Sequence, residues 1–277
     1  MAYTTIDNPH KFFNTVLYTG NGTTDHAITG VGFQPDWTWL KKRNNADDHI
    51  LSDAVRGATK YVISNSTAVE GTYAEGFKSF DSDGFTLGNA NNTNQNTHTF
   101  AAWNWRAGNS SGSSNGDGSI TSTVSVNTTA GFSIVSYTGT GSAATVGHGL
   151  GAVPKMFIVK NRDSTESWRV YHNALGATKE IYLDLSNAAG TSSSSFNDTE
   201  PTSSVFSVGT GNGTNKSSEN LIAYCFAEKK GYSKFASYTG QGGAGGQYPF
   251  IYTGFRPAWI MIKRTDSSQD WRMFDAV

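Results

Sequence analysis

Cysteine occurs once, at Cys225, which excludes an intrachain disulfide and fits assembly in a reducing compartment. Charge is also scarce. Charged residues are 16% of the 277 and sum to −1, so there is no basic field to hold nucleic acid. No apolar run has the length of a helical bilayer span. Residues 1–7 have neither the basic nor the apolar part of a signal peptide. No segment of ten or more residues carries a helical period. What remains is rich in Gly, Ser, Thr and Asn, with 13% aromatics. Turn formers, β formers and a few aromatic anchors make the composition of an all-β protein.

The chain repeats itself. Pro35-Asp36-Trp37-Thr38-Trp39-Leu40-Lys41 returns as Pro154-Lys155-Met156-Phe157-Ile158-Val159-Lys160 and again as Pro257-Ala258-Trp259-Ile260-Met261-Ile262-Lys263. Tyr18-Thr19-Gly20 matches Tyr137-Thr138-Gly139 and Tyr238-Thr239-Gly240. The first offset is 137 − 18 = 119, kept by Pro35 and Pro154 and by Gly57-Ala58-Thr59-Lys60 and Gly176-Ala177-Thr178-Lys179. Farther on, Ala102-Trp103-Asn104-Trp105 matches Ala223-Tyr224-Cys225-Phe226. Such a period exceeds the roughly 20–50 residues of a solenoid unit and suits whole domains.

The pattern predicts tandem β-sandwich domains of about 110–120 residues, jelly-roll or concanavalin-like, each with about seven short strands. Their expected bounds are residues 1–108, a flexible Gly/Ser/Asn linker over 109–118, a second sandwich over 119–231, and an incomplete third copy over 232–277. A fragment that short is not expected to fold alone, so the natural chain is expected to run on past Val277. The three Pro-led strands should be central and buried. In the first, Trp37 and Trp39 share one face and Thr38 takes the other.

Motifs that carry chemistry are weak here. Gly240-Gln241-Gly242-Gly243-Ala244-Gly245 matches a dinucleotide fingerprint, but a strand-like segment follows where a helix belongs, so a glycine-rich turn is the better reading. Asp81-Ser82-Asp83-Gly84 has the start of a calcium loop but lacks its closing Glu, and reads as a hairpin turn. Six scattered histidines have no metal-ligand spacing, and no carboxylate pair recurs between copies. No catalytic, cofactor or metal residues are therefore assigned, and no enzyme is expected. Trp168 and Trp271 occupy one repeat position, which His49 fills in the first copy. They are the aromatics offered as stacking contacts for a sugar, with a core or edge position as the plainer reading. Lys41, Lys160 and Lys263 recur, and are expected to pair with Asp47, Glu166 or Asp270.

The opening MAYTTIDNP, the strands GFQPDWTWLKKR and GFRPAWIMIKR, and DAVRGATKY, SFDSDGFTLG and YSKFASYTGQG resemble a repeat domain of tailed phages, chiefly of marine cyanobacteria and other open-water bacteria. The resemblance covers nearly the whole chain. It implies a bacteriophage virion structural protein, a tail fibre or other surface appendage contacting the host envelope or its glycans. The alternative is a head decoration, head fibre or tail-collar component without a ligand; a polysaccharide-acting enzyme ranks last. Expected partners are copies of itself in a homotrimer, other virion proteins and host surface glycans, without nucleic acid or membrane insertion. The expected place is the virion, assembled in the host cytoplasm. The second copy departs from the pattern at Leu175, where the first has Arg56.

Overall fold

The computed structural model describes residues 3–242 and 248–277. The chain is all-β, with antiparallel sheets whose strands are numbered in chain order. The first sheet has the order β1 (Phe13–Thr19), β9 (Thr99–Trp105), β3 (Trp37–Lys42), β4 (Ile50–Asp53), β5 (Lys60–Ile63) and β6 (Gly71–Thr72). A smaller sheet of β2 (His26–Thr29), β8 (Gly84–Leu87) and β7 (Phe77–Asp81) packs on it. Ile28, Phe77, Phe85 and Leu87 from the small sheet meet Leu40, Ile50 and Ala102 from the large one.

The second sheet runs β10 (Ser113–Asn115), β11 (Ser122–Asn127), β12 (Phe132–Thr138), β19 (Asn220–Phe226), β14 (Met156–Asn161), β15 (Arg169–His172), β16 (Lys179–Tyr182) and β17 (Gly190–Thr191). From β12 onward this is the order of the first sheet. Its small partner is β13 (Ala144–Gly147) paired with β18 (Val205–Val208). The third copy contributes β20 (Trp259–Ile262) and β21 (Arg272–Asp275), paired with each other.

Local chemistry explains why the Tyr-Thr-Gly motif recurs. Tyr18 and Tyr137 donate their hydroxyls to the carbonyls of Thr93 and Thr214, both at 2.6 Å. A Cβ on Gly20 would stand 2.2 Å from the Gln95 carbonyl oxygen, and one on Gly139 2.2 Å from that of Lys216, so only glycine fits. Buried Asn94 and Asn215 clamp the same loops, each donating to the carbonyl of a glycine, Gly88 and Gly209.

Each sandwich has its own hydrophobic interior, and a third cluster is shared between the copies. In β3, Leu40 faces the small sheet, while Trp37 and Trp39 point the opposite way. There they join Trp103 and Trp105 of the first copy, Phe132, Ile158, Trp168 and Tyr224 of the second, and Trp259, Met261, Trp271 and Met273 of the third in one cluster. The large sheets are thus covered on both faces, which is why β3 and β14 are buried almost throughout.

Two expectations are corrected. The stretch 109–118 is no free linker: β10 lies within it and pairs with β11, and the Asn109 N–H donates to Asp36 Oδ2 at 3.0 Å. The third Pro-led strand is not buried on both faces. Trp259 and Met261 pack into the shared cluster, whereas Ile260 is 40% exposed, because among the described residues no small sheet covers its outer face. Residues 243–245 of the glycine-rich motif lie outside the described residues.

Candidate functional site

The repeats grip one another through equivalent atoms, in one rotational sense. Between the second copy and the first, the Trp168 indole N–H donates to the Ile63 carbonyl at 2.9 Å. Lys160 Nζ donates to the Thr67 carbonyl at 3.1 Å, and the Glu70 N–H to the Arg162 carbonyl at 2.8 Å. Between the third copy and the second, the set returns shifted by the repeat. Trp271 donates to the Tyr182 carbonyl at 2.8 Å, Lys263 to that of Ser186 at 2.8 Å, and the Ala189 N–H to the Thr265 carbonyl at 2.9 Å.

A second set closes the ring. The Tyr224 hydroxyl of copy two donates to Asp53 Oδ2 of copy one at 2.7 Å, and the Trp103 indole of copy one donates to Asp275 Oδ2 of copy three at 3.0 Å. Trp103 and Tyr224 share a repeat position, as do Asp53 and Asp275. The aromatic contacts follow suit: Trp37 packs on Phe132, Tyr224 and Phe226, and Trp259 on the corresponding Phe13, Trp103 and Trp105.

Asp53 anchors the tightest joint. Its carboxylate takes the Arg56 Nε and backbone N–H together with the Tyr224 hydroxyl, all buried. Burial alone would lower the Arg56 guanidinium, but Asp53, Tyr224 and Glu70 beside it outweigh that and raise it. Burial likewise pushes Glu70 up, and Arg162 and Arg56 override it and hold Glu70 below the usual carboxylate range. These charges bind one sheet to the next.

At the remaining seam, from copy one to copy three, a cleft of about 430 Å³ lies open. Trp39, Lys41, His49 and Trp103 form one wall, Met261, Trp271 and Met273 another, with Asp184 and Asp270 at its edge. His49 Nδ1 accepts the Trp39 indole N–H at 2.9 Å, and its ring lies against Trp103 with centroids 6.4 Å apart. Burial, then the Lys41 charge, pushes His49 down to about 4. Burial also lowers Lys41, against Asp47 and Asp48.

A pH dependence follows. The folded His49 titrates at about 4, below its ordinary 6.5, so its share of stability is present above 6.5 and is lost as pH falls toward 4. Buried His148 and half-buried His172, also shifted down, act in the same direction, and His148 Nδ1 accepts the Leu150 N–H. Asp36 and Asp184 oppose them: burial raises both, Asp36 to about 6, so their share is lost as pH rises. The three histidines outnumber the two aspartates, and the urea midpoint should fall between pH 7 and pH 4. In His49→Gln the fall should be smaller; an equal fall in both proteins would rule out His49 as a source.

The residues offered from sequence fare differently. Trp168 is 0% exposed with its N–H bonded, so it presents no face to a sugar; the repeat buries it as a joint. Trp271 is half-buried and lines the cleft. The three recurring lysines do reach residues near those expected, but bond to backbone carbonyls, of Asp47, Glu166 and Gln269, instead of carboxylates. Asp81 and Asp83 are occupied by Ser79 and Thr86 and by the N–H groups of Gly30 and Gly32, as a turn requires. His49, Lys41 and Trp103 were not singled out as one site, although the histidine standing where the other copies have tryptophan was a signal.

Residues 8–277 match the family described as Domain of unknown function (DUF7483). The chain belongs to this family. No curated protein and no solved structure matches it. The family match spans all three copies, so the ring of joints and the open cleft both fall within it.

Proposed function

We propose that this family member is a non-enzymatic structural protein of a phage virion, a fibre or surface appendage that contacts the host envelope or its glycans. The observation that carries the reading is the use made of the repeated polar residues. Trp168, Lys160, Arg162, Asp53 and Tyr224 are spent on joints between copies. A chain that commits its recurring side chains to holding its parts together is suited to a mechanical part. The phage-like motifs supply the setting: assembly in the host cytoplasm, incorporation into the virion, and contacts with further copies, as a trimer, and with other virion proteins.

Gold-labelled antibody against the chain should decorate a fibre or appendage on intact virions. Purified protein should bind host cells or a glycan array selectively. Label on the head or collar with no glycan or cell binding would favour the ligand-free structural role, and hydrolysis of a host polysaccharide would overturn the non-enzymatic reading. Light scattering that gives a stable monomer would count against the trimer.

A further inference from the structure

We infer that the open cleft is the seat of a strand hairpin of this repeat's own type, docked against His49, Lys41 and the free edge of β21. The inference does not rest on the virion reading. It rests on the two seams that are already filled.

In both filled seams the same element occupies the same place. The segment from β5 to β6 in the first copy supplies the Ile63 and Thr67 carbonyls and the Glu70 N–H to the second. The segment from β16 to β17 supplies the Tyr182 and Ser186 carbonyls and the Ala189 N–H to the third. At the open seam the receiving groups are in place. Lys41 corresponds to Lys160 and Lys263 and holds the Asp47 carbonyl inside its own copy. Among the described residues it has no counterpart of Thr67 or Ser186 across the seam. His49 stands where Trp168 and Trp271 stand, and with Nδ1 accepting from Trp39 its proton belongs on Nε2, a donor without a partner among the described residues. The Arg43 carbonyl corresponds to those of Arg162 and Thr265 and is likewise unmatched there.

The neighbouring strand is ready too. β4 pairs with β5 and β15 with β16, but β21 pairs only with β20 among the described residues, so the edge on which such a hairpin would build is vacant. Arg272 of β21 corresponds to Arg169, whose guanidinium meets Glu180 of β16 at 3.0 Å. The occupant should therefore carry an acidic residue at that register, carbonyls facing His49 and Lys41, and an N–H facing Arg43. Main-chain hydrogen bonds supply affinity in this mode, and side-chain pockets supply selectivity. Neither hairpin of a second folded copy is free to fill the cleft, since each is already held in its own seam.

The test appends a second copy of residues 175–192 directly after Val277, where repeat alignment puts it in phase with β21. The extended protein should melt about 3 °C or more higher. Amides of Arg272–Asp275 should exchange at least about tenfold more slowly, as expected when an opening costs roughly 1.4 kcal/mol more. A scrambled tail of the same composition should do neither. Lys41→Ala should reduce the gain in the extended protein more than it destabilises the original. Equal protection by the scrambled tail, or unchanged exchange along β21 with the matched tail, would overturn the inference.

Discussion

Trp37→Ala should destabilise the whole chain by about 3–5 kcal/mol, the usual cost of truncating a buried large aromatic. Trp37 is 1% exposed. Its ring lies 4.4 Å from that of Trp105 in its own copy, and 4.3 Å and 5.7 Å from those of Tyr224 and Phe132 in the next. The cavity would open in the cluster that three copies share. One melting transition should therefore move, by of the order of 10 °C, instead of the first sandwich melting early by itself. Calorimetry checks this: two transitions, with the later one unmoved, would mean that the sandwiches are energetically separate. Trp37→Phe should cost less, since it keeps a ring and removes a buried indole N–H that lacks a partner.

Asp53→Ala should be comparably severe, at about 3–5 kcal/mol, because it removes the nearer carboxylate from the buried Arg56 guanidinium, leaving Glu70 at 3.3 Å, and frees the Tyr224 hydroxyl. The second copy points to the rescue. There His172 and Leu175 occupy the positions of Asp53 and Arg56, and β15 is formed without that ion pair. Asp53→Ala combined with Arg56→Leu should thus recover a large part of the loss, as replacing a buried ion pair by apolar groups commonly does. Urea unfolding of the two single variants and the double one completes the cycle. A double variant as unstable as the sum of the singles would show that the pair does not act as a unit.

The strand framework was legible because its signals are local. Pro35, Pro154 and Pro257 mark strand starts, alternation in Trp37-Thr38-Trp39 sets the faces, and Tyr-Thr-Gly marks the loop that only glycine fits. What joins the copies was not legible, because it depends on pairs such as Tyr224 with Asp53 that lie far apart in the chain. Apolar alternation says which face is buried but not against what, so Trp37 and Trp39 could be put on one face of a buried strand without showing that this face meets two other copies. The stretch 109–118 was misread for a related reason. Its composition resembles a tether, but the bonds that order it come from Asp36 and from β11. Trp168 was a fair choice by residue type; only the Ile63 carbonyl, brought up from another copy, shows why its indole is buried.

The shared cluster also sets the order in which this protein can fold. The bond from Tyr224 to Asp53 spans 171 residues and that from Trp103 to Asp275 spans 172. Contacts of such separation form slowly, since the loop must close before any of them stabilises it. On a ribosome the first copy emerges with its small sheet able to pack at once, while the face that carries Trp37, Trp39, Trp103 and Trp105 waits for partners not yet synthesised. A nascent chain would show that tryptophan-rich surface to solvent until more than a hundred further residues had followed, so its yield should depend on chaperones that shield such surface and on the rate of translation.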